Sequence, residues 1–146
     1  MSSSKKTAEG IVALFDASDG TVDMIRSLLK ETNDARRLVG CHFDDLKKGT
    51  VDFTAYLAEH NPEVVIFDIS APYVENWHFF KRMRSADVMR GRGSVVTTTD
   101  KHRLDEVLGT DSFALEAVGQ PKNLQQIRAA IAAQTRRALE ARLTVV

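Results

Sequence analysis

Three polar side chains in this sequence each close a run of mostly apolar residues. Asp16 follows the run 11–15, Asp68 follows 64–67, and Thr99 ends 94–99, while Gln120 comes just after a weaker run, 113–118. Two carboxylates brought together repel, and one pKa rises unless a cation sits between them. Oxygen donors without imidazole or thiolate favour a hard ion, and two carboxylates with waters suit octahedral Mg²⁺. A carboxylate beside such an ion is a competent nucleophile for phosphoryl transfer, giving an aspartyl phosphate. The metal then neutralises charge on the moving group. A threonine hydroxyl completes the set by donating to a phosphate oxygen. Each residue alone is also an ordinary turn or cap former; their joint position at strand ends is what points to chemistry.

That position depends on the elements that carry them. A run that is apolar throughout marks a strand covered on both faces, as in a parallel sheet between helices. By this criterion 11–15 and 64–67 are central strands. The less apolar 37–41 suits an edge, and 94–99 and 113–118 complete five strands. Helical spacing appears in Val22, Ile25, Leu28 and Leu29, after Asp19 or Thr21 as cap. It recurs over 50–60, ended by Asn61-Pro62, and again in Trp77, Phe80 and Met83. A short helix is expected over 103–108, and a last one opens at Pro121 with Leu124, Ile127, Ile131 and Leu139. Strand and helix thus alternate five times, which predicts an α/β, doubly wound, five-stranded parallel sheet with right-handed crossovers. In such a sheet ligands bind beyond the carboxyl ends of the strands, where strand order reverses.

The totals narrow the function classes. The chain has 146 residues, enough for one core. We expect a single domain over 10–142 behind a disordered head, 1–9. Lys plus Arg and Asp plus Glu both number 20, which leaves no whole-domain basic footprint for nucleic acid. Arg82, Arg84, Arg90 and Arg92 crowd one stretch and read as a solvated helix face and loop. The single cysteine, Cys41, reads as a small packed side chain. No apolar run approaches a membrane span and no signal peptide is evident, so a cytoplasmic protein without membrane contact is expected. His42, His60, His78 and His102 show no metal-ligand spacing, and neither a nucleophile elbow nor a glycine-rich phosphate loop is present. Trp77, Phe79 and Phe80 crowd one helix start, and one of the first two is expected to be partly exposed near the site.

With these residues in view, the stretch from Val64 through Asp68 and Pro72 to Trp77 resembles the phosphoacceptor strand and loop of response-regulator receiver domains (CheY-like). There an aspartate is followed four residues later by proline and then by a helix. The resemblance spans about 11–131. It implies the flavodoxin-like strand order 2-1-3-4-5, an order the receiver family itself illustrates. It also implies Asp68 as phosphoacceptor, Asp16 and Asp68 as Mg²⁺ ligands with the backbone carbonyl of Ser70, and Thr99 as the hydroxyl that senses the phosphate. The implied function is a receiver in two-component phosphorelay signalling, with no enzyme activity beyond its own phosphorylation and dephosphorylation. Partners would be a sensor histidine kinase or phosphotransfer protein and a downstream target, with homodimerisation an option. Three positions depart from the family pattern. Phe15 replaces one of two adjacent acidic residues, Gln120 replaces a lysine that pairs with phosphate, and Ala117 replaces an aromatic ring. A guanidinium or ammonium near a phosphoryl group is worth more than a neutral amide. The competing expectation is therefore a phosphorylation-independent receiver acting as a protein-binding module.

Overall fold

The structure, a computed structural model, describes residues 10–31, 36–109, 113–117 and 121–143, except the side chains of 121, 142 and 143. Its elements run β1 (Ile11–Asp16), α1 (Asp19–Glu31), β2 (Arg37–His42), α2 (Phe43–Lys48), α3 (Phe53–His60) and β3 (Val64–Ile69). They continue with α4 (Tyr73–Arg84), a 3-10 turn (Asp87–Met89), β4 (Gly93–Thr98), α5 (Lys101–Leu108), β5 (Leu115–Glu116) and α6 (Pro121–Leu143). The five strands form one parallel sheet in the order β2-β1-β3-β4-β5, the expected topology. Residues 1–9, on which the expected disordered head falls, and Gln120 lie outside the described residues.

Side-chain alternation along each strand sorts the core into two layers. Val12, Leu14, Val64, Ile66 and Val95 face α1 and α6, meeting Ile25, Leu28, Leu29, Ile127 and Ile131. Ala13, Phe15, Val65, Phe67 and Val96 face the other way, toward α3, α4 and α5. Phe15 is fully buried there, edge-on to Phe53 and Tyr56. An aromatic side chain of this size buried in full contributes about 1.5–3 kcal/mol. Because 15 and 16 face opposite sides, the phenylalanine belongs to one core layer and does not border the carboxylate chemistry.

Two elements differ from expectation. The six-residue helix α2 follows β2 at once and ends at Gly49, whose φ of 80° supplies the left-handed cap. Strand β5 has only two residues among those described, against six expected. On α6 the inward positions are Ile127, Ile131 and Ala138, while Leu139 is exposed, because the helix's apolar stripe rotates off Leu139. Gly40 is required at its position. A Cβ there would lie 1.9 Å from the Leu14 carbonyl oxygen, so only glycine lets β2 lie against β1 in this register.

Candidate functional site

Period-two alternation decides which strand-end side chains share a face. Asp16 continues the row of Val12 and Leu14, Asp68 that of Val64 and Ile66, and Thr97 that of Val95, so all three emerge on the α1 and α6 side at the carboxyl ends of adjacent strands. The residue paired with Asp68 across β3 and β4 is Thr97. Its hydroxyl donates to Asp68 Oδ1 at 2.9 Å. Thr99, the hydroxyl expected from sequence, lies past the strand end and is exposed. Thr98, between them, faces the opposite layer and donates to the Ile69 carbonyl at 2.8 Å. Among three consecutive threonines, only Thr97 has the parity and depth to reach the aspartate.

Asp68 is fully buried. Its Oδ2 accepts the Ala17 backbone N–H at 2.9 Å, and the Thr21 hydroxyl faces it from the first turn of α1. Burial raises its pKa above the usual aspartate value. The Ala17 N–H, Thr97 and Thr21 oppose that rise, and the negative charge of Asp16 adds to it.

Asp16 has a different environment. It is the last residue of β1 and pairs in the ladder with His42, the last residue of β2. That register sets the two side chains together, with His42 Nδ1 3.0 Å from Asp16 Oδ2. The hydrogen bond and charge of Asp16 raise the pKa of His42. Donor atoms of Asp16, Asp19 and His42 all lie within 4.8 Å of one another. His42 is not expected here from its local sequence; the signal lies in strand pairing, since residues that close neighbouring parallel strands stand side by side. A cleft of about 250 Å³ opens above them, lined by Asp16, Ala17, His42, Asp45, Lys48 and Ser70. Asp68 is not among its lining residues.

The ion-binding set expected from sequence is therefore split. Both oxygens of Asp68 are taken by protein donors, and the Ser70 carbonyl accepts the Asn76 side-chain amide at 2.8 Å. Asn76 is itself buried and takes a hydrogen bond from Lys47 at 2.6 Å, while Lys47 also pairs with Glu75 at 2.6 Å. This chain of contacts fixes the loop after β3. The donors that do converge, two carboxylates and an imidazole, suit a divalent cation, and the imidazole shifts preference from Mg²⁺ toward first-row transition ions. Nearby, the Cys41 thiol is pushed up to about 11, first by burial and then by Asp45 and Asp16, which leaves it un-ionised and inert at neutral pH. Trp77 is inside the core, and Phe79 is half-buried between Arg82 and Phe43, a residue that lines this cleft.

No family model and no curated protein matches the sequence. Solved structures do match in fold. The bacteriophytochrome response regulator AtBRR is 19% identical, with a TM-score of 0.55 over 86% of this chain and 91% of that one. The bacteriophytochrome response regulator RtBRR is 21% identical, TM-score 0.55, over 84% and 76%. The Mn²⁺-bound form of response regulator Rcp1 is 15% identical, TM-score 0.53, over 86% and 93%. The chain thus has the fold of response-regulator receivers, and among its described residues no helix is long and apolar enough to cross a membrane.

Proposed function

We propose that the chain is a receiver module of two-component signalling whose phosphoacceptor is Asp68. The observation that carries this reading is the Asp68 carboxylate at the end of β3, hydrogen-bonded to the Thr97 hydroxyl of the adjacent strand end and closed over by the Ala17 N–H. Asp68 Oδ2 forms the new P–O bond as the donor's P–N bond (or the P–O bond of an acyl phosphate) breaks and its imidazole (or carboxylate) leaves. The phosphoryl group takes the place of the Ala17 contact, with the Thr97 hydroxyl in position to donate to the modified side chain. The Ala17 turn must move off for this to happen, so the resting protein is closed and phosphorylation opens it. A divalent cation, Mg²⁺ or a transition ion, would be held by Asp16, Asp19 and His42, and when bound it would offset negative charge at this pole of the sheet. Asp68 and the Ser70 carbonyl do not fit that set as they stand, and the step on Asp68 is not routed through the ion. A histidine kinase or phosphotransfer protein would supply the phosphoryl group in the cytoplasm, and a separate target would read the outcome.

Incubation with acetyl phosphate, followed by intact-mass measurement, tests the reading. A gain of one phosphoryl group in the parent protein and none in Asp68→Asn is expected. Modification at another residue contradicts the assignment. The full burial of Asp68 favours a second reading, a receiver that signals by binding alone. Unmodified protein, together with unchanged amide spectra on adding beryllofluoride, would select it.

A further inference from the structure

The sheet has a second polar end, opposite the carboxylates. Gly93 opens β4, four residues and roughly 13 Å along the strand from Thr97. Beside it is a cleft of about 540 Å³ whose lining includes Arg84, Arg92, Arg137, Gln134 and Phe113. Among the described residues no acidic side chain lines it. A chain with 20 basic and 20 acidic residues does not force such segregation by composition. Three guanidinium groups facing one cleft repel one another, and a bound anion relieves that repulsion.

Arg84 and Arg92 are held in place before any ligand arrives. Gly93 is so close to α6 that a Cβ would meet Gln134 Cβ at 2.5 Å, so the helix forms one wall of the cleft. Gln134 Oε1 accepts the Ser94 N–H at 3.1 Å, which leaves its amide hydrogens as donors. Arg92 donates to Val88 O, Asn61 Oδ1 and Pro62 O, each at 2.8 Å, and to Leu57 O at 3.5 Å, so its nitrogens are engaged within the protein and it lends the cleft positive charge. The Arg84 guanidinium lies over two rings, 5.3 Å from the centre of Phe80 and 5.2 Å from that of Phe113. Arg137 projects from α6 and is exposed, and among the described residues neither it nor Arg84 forms an ion pair. Planar, preorganised guanidinium forks match phosphate oxygens better than single point charges do, and the cleft volume is within the range of small-molecule sites.

We propose that this cleft binds a small oligophosphate, either inorganic pyrophosphate or the phosphate tail of a nucleotide, through Arg84 and Arg137, with Arg92 adding positive charge to the wall. It is independent of any chemistry at Asp68. The single tryptophan, Trp77, packs with its ring centre 5.3 Å from that of Phe113, so intrinsic fluorescence reports on the cleft. The test is to titrate pyrophosphate, ATP and adenosine in low salt with EDTA present. Saturable changes with pyrophosphate and ATP, and none with adenosine, are expected. Equal affinity for the two assigns recognition to phosphate alone, and tighter ATP adds contact of the base with Phe113. Arg137→Gln should weaken binding by about tenfold or more, as loss of a charged hydrogen-bond donor does. Arg84→Gln should do likewise, and Asp68→Asn should bind as the parent does. Should Arg84→Gln unfold, Arg137→Glu at the exposed position takes its place and should weaken binding further than Arg137→Gln. The proposal fails if pyrophosphate does not saturate, if both Arg137 variants bind normally, if adenosine binds as well as ATP, or if Asp68→Asn alone abolishes the signal.

Discussion

Asp16 and Asp68 occupy neighbouring strand ends on the same face of the sheet, yet their surroundings have little in common. Asp68 is sealed, with both oxygens bound by the Ala17 N–H and the Thr97 hydroxyl, and burial favours its neutral form. Asp16 lines a solvent cleft, paired with an exposed imidazole and close to Asp19. Residue type is the same and both are buried, Asp16 4% exposed and Asp68 not at all, so their partners make the difference. Where the chain after β1 folds back over β3, the Ala17 N–H closes over one carboxylate, while the other keeps an edge on the cleft beside His42. The pole is thereby divided into an inner carboxylate at Asp68 and an outer one at Asp16 beside His42.

The outer half is most severely broken through the backbone. Gly40→Ala drives a methyl into the Leu14 carbonyl and must push β2, with His42 at its end, away from β1. A loss of at least about 3 kcal/mol is expected in urea denaturation, the size associated with severe overpacking. The inner half is tested by Thr97→Val, which keeps the shape but removes a buried donor. About 2 kcal/mol of destabilisation at pH 7 is expected from leaving Asp68 Oδ1 unsatisfied. A loss below about 0.5 kcal/mol, typical of surface changes, would mean that Thr97 does not hold the carboxylate.

Asp68→Asn sharpens the comparison by changing sign. The amide oxygen can accept the Ala17 N–H and the amide group can donate to Thr97, so both bonds survive without a buried charge. Because burial raises the folded-state pKa of Asp68, the folded protein holds this proton more readily than the unfolded chain. Its contribution is then most favourable at low pH and is lost as pH rises through the folded value. The asparagine variant should therefore be more stable than the parent at pH 7, and the gain should vanish in acid. The smallest effect belongs to His42. Its folded pKa is raised by Asp16, so the pair's stabilisation is complete below the unfolded histidine value of about 6.5 and fades as pH climbs through the folded one. Thermal melts of His42→Ala against the parent should differ at pH 6 and converge in alkali.

Much of the architecture is legible because the two central strands, covered on both faces, show as unbroken apolar runs, and three weaker runs complete five that alternate with helical spacing. The runs before Asp16 and Asp68 place two carboxylates near the carboxyl ends of neighbouring strands, where the structure has them. Thr99 misleads because three threonines in a row hide where the strand stops, and an error of two residues moves a buried hydroxyl into solvent. Counting faces from Val95 identifies Thr97, but only once the register against β3 is known. His42 escapes notice for a related reason, since its partner is 26 residues away and becomes adjacent only through the β1–β2 pairing. Helix α2 is too short for periodicity to reveal, and Gly49 is its one local mark. The arginines near residue 90 read as a solvated face, and Arg82, Arg84 and Arg90 are exposed; that Arg137 on α6 lines a cleft with Arg84 shows only in three dimensions.

Carboxyl-carbon NMR titration of Asp68 tests the division of the pole most directly. The inflection should lie above the usual aspartate value of about 3.9, and it should persist in Thr21→Val and in His42→Ala. An Asp68 resonance that titrates at or below that value would contradict a sealed inner carboxylate and return residue 68 to the solvent-facing cation site.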